Sequence, residues 1–491
     1  MGDVIDRKHR FAGANPLLLG GIAAVILAEA ALLGHSSLNY DELFSIYFAR
    51  QEPGFLLGEG WRQETNPPLY FLLLRGWMAL FGDSAVAVRS LSLLAGAVTV
   101  PVMLRIARAA GLDRIGAWLA VFLYLTSTLA ARYAIMARPY ALWLFVLSIA
   151  LLALLEAMAA TAPSRRWALA FAAAGLTALY LHDATLVFLV AADVVFVLVW
   201  AVRHRAEPNR LITWLLPQLL LLAAGAPQLL VILAQRGSPN IAWIPPLGLP
   251  EAIQAAIELL SGREYPFGTF QAPAWLLSLI LILIVAPVCG ARRTVALLGG
   301  LALLGLALLA GVGLLLPRAA LWLLLVLAPL QAAGLRGLPA GWLRRGLIAL
   351  SVTLAGLNTA SCLWSFEPEP WRDFLTTFER LRQPTDAVIL LNAVPASAFS
   401  YYRAGEGADL YRWDESAIDG PGTAVRTLDD RIRPLPPIDE AGIRALLEQG
   451  RAVWLVSRLG RQIAAEEALT ASFAVTERMT RRTIQLIRLT P

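Results

Sequence analysis

The sequence predicts an α-helical polytopic membrane protein with about eleven transmembrane helices and a small C-terminal α/β domain outside the cytoplasm. Composition is the first observation, because 58% of the 491 residues are hydrophobic and 15% are charged. Soluble domains are about 45–50% apolar and about 25% charged. The second observation is that 18 of the 35 Asp and Glu residues lie from Glu367 onward. The excess of hydrophobic over charged residues excludes an ordinary cytosolic enzyme, a disordered chain and a fibrous repeat.

Long apolar runs divide the first three quarters of the chain into candidate spans. A helix needs about 20 apolar residues to cross the hydrocarbon core of a bilayer. The predicted spans, with soft edges, are 16–34, 84–106, 115–131, 139–159, 167–182, 184–202, 211–234, 273–290, 294–316, 319–335 and 346–364. A cleaved signal peptide over 7–36 is an alternative for the first span, but the apolar run is long and no A-x-A-like site ends it.

Basic residues set the predicted orientation of these spans. Cytoplasmic loops of membrane proteins carry an excess of Lys and Arg. Such residues recur in every second loop, namely Arg7, Lys8, Arg10, Arg105, Arg108, Arg114, Arg165, Arg166, Arg203, Arg205, Arg210, Arg292, Arg293, Arg336, Arg344 and Arg345. The alternation predicts a multi-pass protein of the cell (inner) membrane with its C-terminal domain facing the periplasm or exterior. The formal net charge of +6 therefore reflects membrane orientation, and no nucleic-acid partner is predicted.

Two domains are predicted, a transmembrane domain at 1–364 and a soluble extracytoplasmic α/β domain at 365–491. The transmembrane domain contains a first outer loop at 35–83 and a second outer loop at 235–272, both longer than the remaining loops. In the C-terminal domain, short apolar runs alternate with helical patterns, which is typical of an α/β fold. No Gly-rich phosphate loop is visible there, and covering the site or contacting the acceptor is its predicted role.

The first outer loop opens with Asn39-Tyr40-Asp41-Glu42. Two adjacent acids near a membrane surface suggest a chemical role. The competing structural interpretation is that Asp41 caps a helix and that Glu42 favours the positive end of its dipole. Adjacent residues point in different directions, so the two acids need not share one task.

Other polar residues also lie at the predicted outer ends of spans. The segment Glu64–Tyr70 contains Pro67-Pro68, which fixes a rigid entry into the following helix or forms a simple turn. Arg138 begins a span, where a guanidinium can either reach lipid headgroups or hold a phosphate. Comparable border positions are occupied by Arg89, Arg318 and His182. Glu29, Glu156 and Asp193 are predicted near bilayer depth, where ionisable residues are often functional.

Three sequence segments carry a family resemblance: DELFSIYFA after the first span, NPPLYFLLLRGWMALFGDSAVAVRSLSLLAG entering the second, and YAIMARPYALW. Together they resemble the membrane-embedded GT-C glycosyltransferases. The most similar branch is the bacterial one related to protein O-mannosyltransferases and the lipid A aminoarabinose transferase, including galacturonosyltransferase-like members. The resemblance implies a polyprenyl-phosphate-linked sugar donor, inverting transfer outside the membrane, and a lipid, glycan or protein acceptor of the cell envelope.

The resemblance also implies residue roles. Asp41 matches the family's first-loop Asp and is the expected general base, with Glu42 orienting it, binding acceptor or assisting a metal. The expected donor-phosphate ligands are Arg138, Arg89, Arg62 and Arg318, and the expected substrate contacts are Tyr40, Asn66, Tyr70, Tyr140 and His182. Many family members have His or Lys where this chain has Asn66. A divalent metal ion could share the work of charge stabilisation, but the sequence shows no strong ligand set.

Two other functions fit parts of the sequence. A transporter or flippase for a lipid-linked sugar or anionic lipid would use Glu29, Glu156 and Asp193 as a relay, and it predicts inverted repeats with broken helices. A non-catalytic assembly subunit would make the C-terminal domain the functional part. Membrane lipids contact the protein in all three interpretations.

Overall fold

The computed structural model describes residues 16–235, 248–261, 270–365, 367, 369–391, 393–405, 409–413, 435–458 and 463–490. These form two compact units. The transmembrane unit comprises 1–33, 89–232 and 245–365, and the mixed α/β unit comprises 34–88, 233–244 and 366–491. The first long loop thus belongs to the same compact unit as the C-terminal residues.

All secondary-structure elements described up to residue 365 are helices. In chain order they are α1 (Pro16–Leu32), α2 (Tyr40–Ala49), α3 (Pro53–Leu56), α4 (Glu59–Gln63), α5 (Leu69–Phe81), α6 (Ala85–Ala109), α7 (Arg114–Leu125), α8 (Thr128–Ala134), α9 (Tyr140–Ala159), α10 (Arg165–Leu179), α11 (Thr185–Arg203), α12 (Pro208–Gln235), α13 (Leu249–Ser261), α14 (Gln271–Ile280), α15 (Ala286–Cys289), α16 (Arg292–Gly311), α17 (Leu324–Gly337) and α18 (Trp342–Ser365). A π-helical turn at Leu281–Val285 joins α14 to α15, and a 3-10 turn at Leu321–Leu323 precedes α17.

Every predicted span coincides with helix, but the count of eleven full spans is not confirmed. Within the described residues seven segments are long and apolar enough to cross a membrane, and α7 with α8, bent by 65°, makes an eighth if counted as one span. Helix α10 has 15 residues, and a helix rises about 1.5 Å per residue. It therefore covers less than the roughly 30 Å of a hydrocarbon core. The protein is nonetheless a multi-pass, mainly helical membrane protein.

Close helix packing in the transmembrane unit depends on glycine. A Cβ atom on Gly305 would collide with the Trp322 ring, and one on Gly334 would meet the backbone of Ala286. Small residues allow backbones to approach when no water-driven force holds transmembrane helices together. Gly305 therefore allows α16 to pack closely against the 3-10 turn before α17, and Gly334 allows α17 to pack closely against α15.

The mixed α/β unit contains a six-stranded sheet. After α19 (Trp371–Leu381) follow β1 (Ala387–Leu390), α20 (Ala393–Tyr401), β2 (Asp409–Trp413), β3 (Pro437–Ile438), α21 (Glu440–Glu448), β4 (Val453–Arg458), α22 (Ile463–Ser472), β5 (Ala474–Arg481) and β6 (Ile484–Thr490). The strand order is β3-β2-β1-β4-β6-β5, with β3, β2, β1 and β4 parallel and β6 antiparallel to both β4 and β5. The predicted small α/β domain is thereby confirmed.

The core of this sheet follows the apolar runs seen in the sequence. Strand β1 is buried throughout and β4 is buried up to Ser457, as is typical of parallel strands covered on both faces. Ile389, Leu455 and Ile487 belong to one buried cluster with Leu447 of α21. Most residues of strand β5 are exposed. The sequence therefore has no apolar run there that would predict a strand.

Candidate functional site

The first turn of α2 carries the acidic pair. Asn39 is the N-cap, and its Oδ1 accepts a hydrogen bond from the Glu42 backbone N–H at 3.2 Å. The Asn39 N–H donates in return to Glu42 Oε2 at 3.1 Å. This reciprocal capping box satisfies two of the amides left over at a helix start. The interpretation of Asp41 as the capping residue is therefore wrong.

Asp41 and Glu42 have different environments. The Glu42 side chain is 0% exposed, whereas Asp41 is exposed to solvent. Both lie at the positive end of the helix dipole, where a carboxylate is stabilised. Asp41 is thus solvent-exposed, whereas Glu42 is buried and one of its carboxylate oxygens accepts a hydrogen bond in the cap.

A residue that the sequence reasoning missed holds the adjacent backbone. Glu369 is 1% exposed, and its Oε2 accepts hydrogen bonds from the Tyr40 N–H at 2.8 Å and from Trp371 Nε1 at 3.0 Å. Arg458 Nε lies 2.9 Å from the other oxygen, Oε1. Burial raises the pKa of Glu369, and Arg458 opposes that rise while the charge of Asp41 adds to it. A signal was present in the sequence, since Glu369 is an acid between two prolines at the domain boundary.

The Pro-Pro segment forms a rigid, buried entry into α5, as the sequence predicts. Asn66 is 7% exposed, and its Nδ2 donates to Glu64 Oε1 at 2.6 Å. The Tyr70 side chain is 0% exposed, with its ring centroid 5.7 Å from that of Phe71. The predicted substrate contacts Asn66 and Tyr70 thus lie inside the local packing.

Arg62 lies beside this entry on the last turn of α4 and is exposed. Gln235 Nε2 donates to the carbonyl oxygens of Arg62 at 3.2 Å and of Glu64 at 2.9 Å. These bonds fix the backbone of the turn and leave the guanidinium of Arg62 at the surface.

The transmembrane unit brings four predicted residues together. The Arg138 guanidinium lies 6.0 Å from the Tyr140 ring centroid, and that ring lies 5.5 Å from His182. The positive charges of Arg318 and Arg138 both act on His182. Arg138 is 5% exposed and Tyr140 is 3% exposed. We call Arg138, Tyr140, His182 and Arg318 the arginine–histidine cluster.

The protonation state of His182 follows from its contacts. Its Nδ1 accepts a hydrogen bond from the Ala184 N–H at 3.1 Å, and the Trp143 ring stacks on it at 4.4 Å. Burial, with the charges of Arg318 and Arg138, lowers the pKa of His182 to about 3. The imidazole is therefore neutral, and because Nδ1 accepts, its proton is on Nε2. Nε2–H is a hydrogen-bond donor within a positively charged cluster.

Arg89 has a structural contact instead. It is 2% exposed, and its Nη1 donates to the Leu33 carbonyl oxygen at 2.8 Å. The carbonyls of the last helical turn have no partner within their own helix, and a cation near a helix C-terminus is favourable. Arg89 thus stabilises the end of α1.

Two of the three acids predicted near bilayer depth contact a side chain of another helix. Asp193 Oδ1 accepts from Trp214 Nε1 at 2.8 Å, which confirms the expected pairing with a neighbouring helix. Glu156 lies 3.8 Å from Arg105, and Glu29 is 2% exposed. Two of the three acids thus contact side chains that stabilise them in place. Among the described residues, no three His, Cys, Asp or Glu side chains converge to hold a metal ion.

Comparison with known sequences gives a family match for part of the chain. Residues 65–230 match the family model described as dolichyl-phosphate-mannose-protein mannosyltransferase. That range includes Asn66, Arg89, Arg138, Tyr140 and His182, and it begins after Asp41. No curated protein matches the chain by sequence.

Solved structures match almost the whole chain. ArnT from Cupriavidus metallidurans bound to undecaprenyl phosphate is similar with a TM-score of 0.60 at 15% identity, covering 97% of this chain and 98% of that one. Its apo state gives a TM-score of 0.61 at 14% identity, covering 96% and 97%. Arabinofuranosyltransferase AftD from Mycobacteria gives 0.51 at 16% identity, covering 98% of this chain and 42% of that one. The protein therefore has an ArnT-like, mainly helical membrane fold with a small C-terminal sheet domain, as predicted.

Proposed function

We propose that the protein is an inverting glycosyltransferase that moves a sugar from a polyprenyl-phosphate donor to a lipid, glycan or protein acceptor. The carrying observation is the fold, which over nearly its whole length is that of ArnT, a protein solved with undecaprenyl phosphate bound. The match of residues 65–230 to a mannosyltransferase family supports the same reaction class.

The arginine–histidine cluster is the proposed site for the donor phosphate. As the sugar leaves, negative charge develops on the phosphate, and preorganised cations and N–H donors stabilise such charge. Arg138 and Arg318 supply positive charge, and His182 supplies a neutral N–H donor. Burial of Arg138 strengthens its hydrogen bonds to an anion, because the local dielectric is low.

Asp41 is the proposed general base. The acceptor hydroxyl oxygen forms a bond to the sugar C1 while the bond from C1 to the phosphate oxygen breaks, and the hydroxyl proton moves to the Asp41 carboxylate. Polyprenyl phosphate is the leaving group, and a single displacement inverts the anomeric centre. In the reacting complex the carboxylate must lie about 2.6–3.2 Å from the acceptor oxygen. An exposed carboxylate on a capped helix turn suits that task.

The proposed site faces the periplasm or exterior. Basic residues in every second loop favour a cytoplasmic N-terminus, and the eleven spans predicted from the sequence would then place the C-terminal domain outside. A reporter that is active only in the cytoplasm, fused after Pro491, should be silent. Strong activity of that reporter would contradict the orientation.

The proposed reaction is tested with purified protein in lipid nanodiscs. A panel of radiolabelled polyprenyl-phosphate sugars is incubated with lipid, glycan and protein acceptors. We expect at least one donor to give labelled acceptor together with free polyprenyl phosphate in equal amounts. If the protein moves lipid-linked sugar across vesicle membranes without labelling any acceptor, a transporter function replaces the proposal.

A further inference from the structure

The segment that leads into α2 is held mainly by residues from the C-terminal part of the chain. Both the N–H and the hydroxyl of Ser37 donate to Glu367 Oε1 at 3.2 Å. The Leu38 N–H donates to the Tyr402 hydroxyl at 3.0 Å. The Tyr40 N–H, the last of this series, donates to Glu369. Three backbone amides within four residues are thus bonded to side chains more than 300 residues away.

Arg372 extends this attachment to the residues just before Ser37. Its Nη2 donates to the carbonyl oxygens of Gly34 at 3.0 Å and of His35 at 2.6 Å, and its backbone N–H donates to Ser37 Oγ at 3.2 Å. Two carbonyls and three amides of residues 34–40 are therefore bonded to the C-terminal part. A short segment with that many backbone bonds has little freedom to rotate.

Glu369 accepts a hydrogen bond from the backbone amide of Tyr40, the residue before Asp41. The carboxylate is buried, and its two oxygens are divided between the Tyr40 N–H and Trp371 on one side and Arg458 on the other. A carboxylate so oriented cannot rotate without losing a charge-assisted bond, and such bonds are the stronger ones in proteins. The Tyr40 amide belongs to the first turn of α2, whose amides must be bonded by groups outside the helical ladder. Glu369 thus caps α2 from a distance, beside the local Asn39–Glu42 box.

We propose that the C-terminal α/β domain positions the Asp41 carboxylate for catalysis, with Glu369 as the positioning residue. This inference rests on the proposed role of Asp41 as the base. The domain then acts through the backbone of residues 34–40 and need not contact either substrate. A misplacement of about 1 Å in a catalytic group can cost ~10²-fold in rate, so a distant attachment of this kind can control turnover.

Two substitutions at Glu369 separate positioning from general stability. Glu369→Ala removes the acceptor for the Tyr40 N–H, whereas Glu369→Gln keeps a carbonyl oxygen there and removes the charge. Glu440→Ala is the matched control, because Glu440 belongs to the same unit, is 49% exposed and forms a surface pair with Arg444. For each variant the kcat, the KM of each substrate and the hydrogen exchange of residues 38–45 are measured.

We expect Glu369→Ala to lower kcat by at least ~10-fold with an unchanged KM for the donor and with faster exchange at residues 38–45. Glu369→Gln should recover part of the rate, and Glu440→Ala should behave as the wild type. Unchanged exchange and kcat in Glu369→Ala would overturn the positioning role. A raised acceptor KM with normal kcat would overturn it too, since the domain would then bind acceptor. A wild-type protein that transfers no sugar would overturn the proposed function itself, separately from the exchange result.

Discussion

The first turn of α2 and the arginine–histidine cluster keep their polar side chains in place by opposite means. On α2 the backbone is fixed by capping bonds, from Asn39 and Glu42 locally and from Glu369 at a distance, and the Asp41 carboxylate faces solvent. In the cluster Arg138 and Tyr140 are buried, Arg318 and His182 are half-buried, and the Trp143 and Tyr140 rings lie against His182. One arrangement exposes the carboxylate that we propose as the base, and the other places Arg138, proposed to bind phosphate, where little water reaches it.

The two regions should therefore tolerate different kinds of substitution. A group placed through its backbone is sensitive to loss of bonds far from the side chain, whereas a group placed by burial is sensitive to its own shape and charge. Substitutions should therefore act on kcat alone in the first region, and on both phosphate affinity and kcat in the second.

Asp41→Asn should lower kcat by at least ~10²-fold, because a general base contributes 10²–10⁴-fold and an amide cannot take the proton. Since Asn39 and not Asp41 caps α2, the substitution leaves the capping box intact, and the protein should fold normally. Steady-state sugar transfer and polyprenyl phosphate binding are both measured. Asp373→Asn, an exposed acid of the same unit, is the control. Near-normal turnover of a folded Asp41→Asn protein would remove Asp41 from the reaction.

Arg138→Lys should weaken polyprenyl phosphate binding by about 10-fold and should also lower kcat, because the leaving phosphate gains negative charge as the sugar departs. Lysine keeps the charge but loses the planar fork that pairs with phosphate oxygens, and one charge-assisted hydrogen bond contributes about 1.5–3 kcal/mol. Binding of polyprenyl phosphate in nanodiscs gives the affinity. The control is Arg105→Lys, since Arg105 is 53% exposed beside Glu156. Equal affinities for Arg138→Lys and the wild type would make Arg138 a headgroup anchor.

Asn39→Ala should destabilise α2 by about 1 kcal/mol, the usual cost of losing an N-cap. Hydrogen exchange over residues 40–49 should accelerate accordingly, and Asn39→Asp should exchange as the wild type does because Asp caps equally well. Equal protection in Asn39→Ala would show that Glu369 alone holds the helix start.

The pH dependence of stability tests the environment of His182. His182 has a pKa of about 3 in the folded protein and about 6.5 when unfolded, so the unfolded chain binds more protons between these values. Its contribution is complete above pH 6.5 and is lost as the pH falls toward 3. Between pH 7.5 and 5.5 the wild type should lose no more than about 1.4 kcal/mol through this group. His182→Gln should lose less over that range in thermal unfolding; an equal loss would mean that His182 is already charged.

Much of the fold was predictable because its signals are local. Long apolar runs form the helices of the transmembrane unit, and short apolar runs form strands β1, β4 and β6. The N-cap was also readable in principle, since Asn39 and Glu42 have the three-residue spacing of a capping box. Asp41 is itself a good capping residue, and that competing choice obscured the spacing.

The remaining features depend on contacts between distant parts of the chain. Nothing near Glu369 in the sequence shows that it will bond to Tyr40, which lies 329 residues away. The grouping of residues 34–88 with the C-terminal sheet has the same origin. The failure of α10 to reach full span length is subtler, because its apolar run continues past Leu179, where the helix ends.

The stereochemistry of sugar transfer tests whether the reaction is a single displacement with Asp41 as its base. Wild-type protein and Asp41→Asn are incubated side by side with a donor of known anomeric configuration, and the product linkage is determined by NMR. We predict an inverted linkage in the wild-type product and at least ~10²-fold slower formation of that product by Asp41→Asn. A retained configuration, or equal rates for the two proteins, would contradict a single displacement with Asp41 as its base.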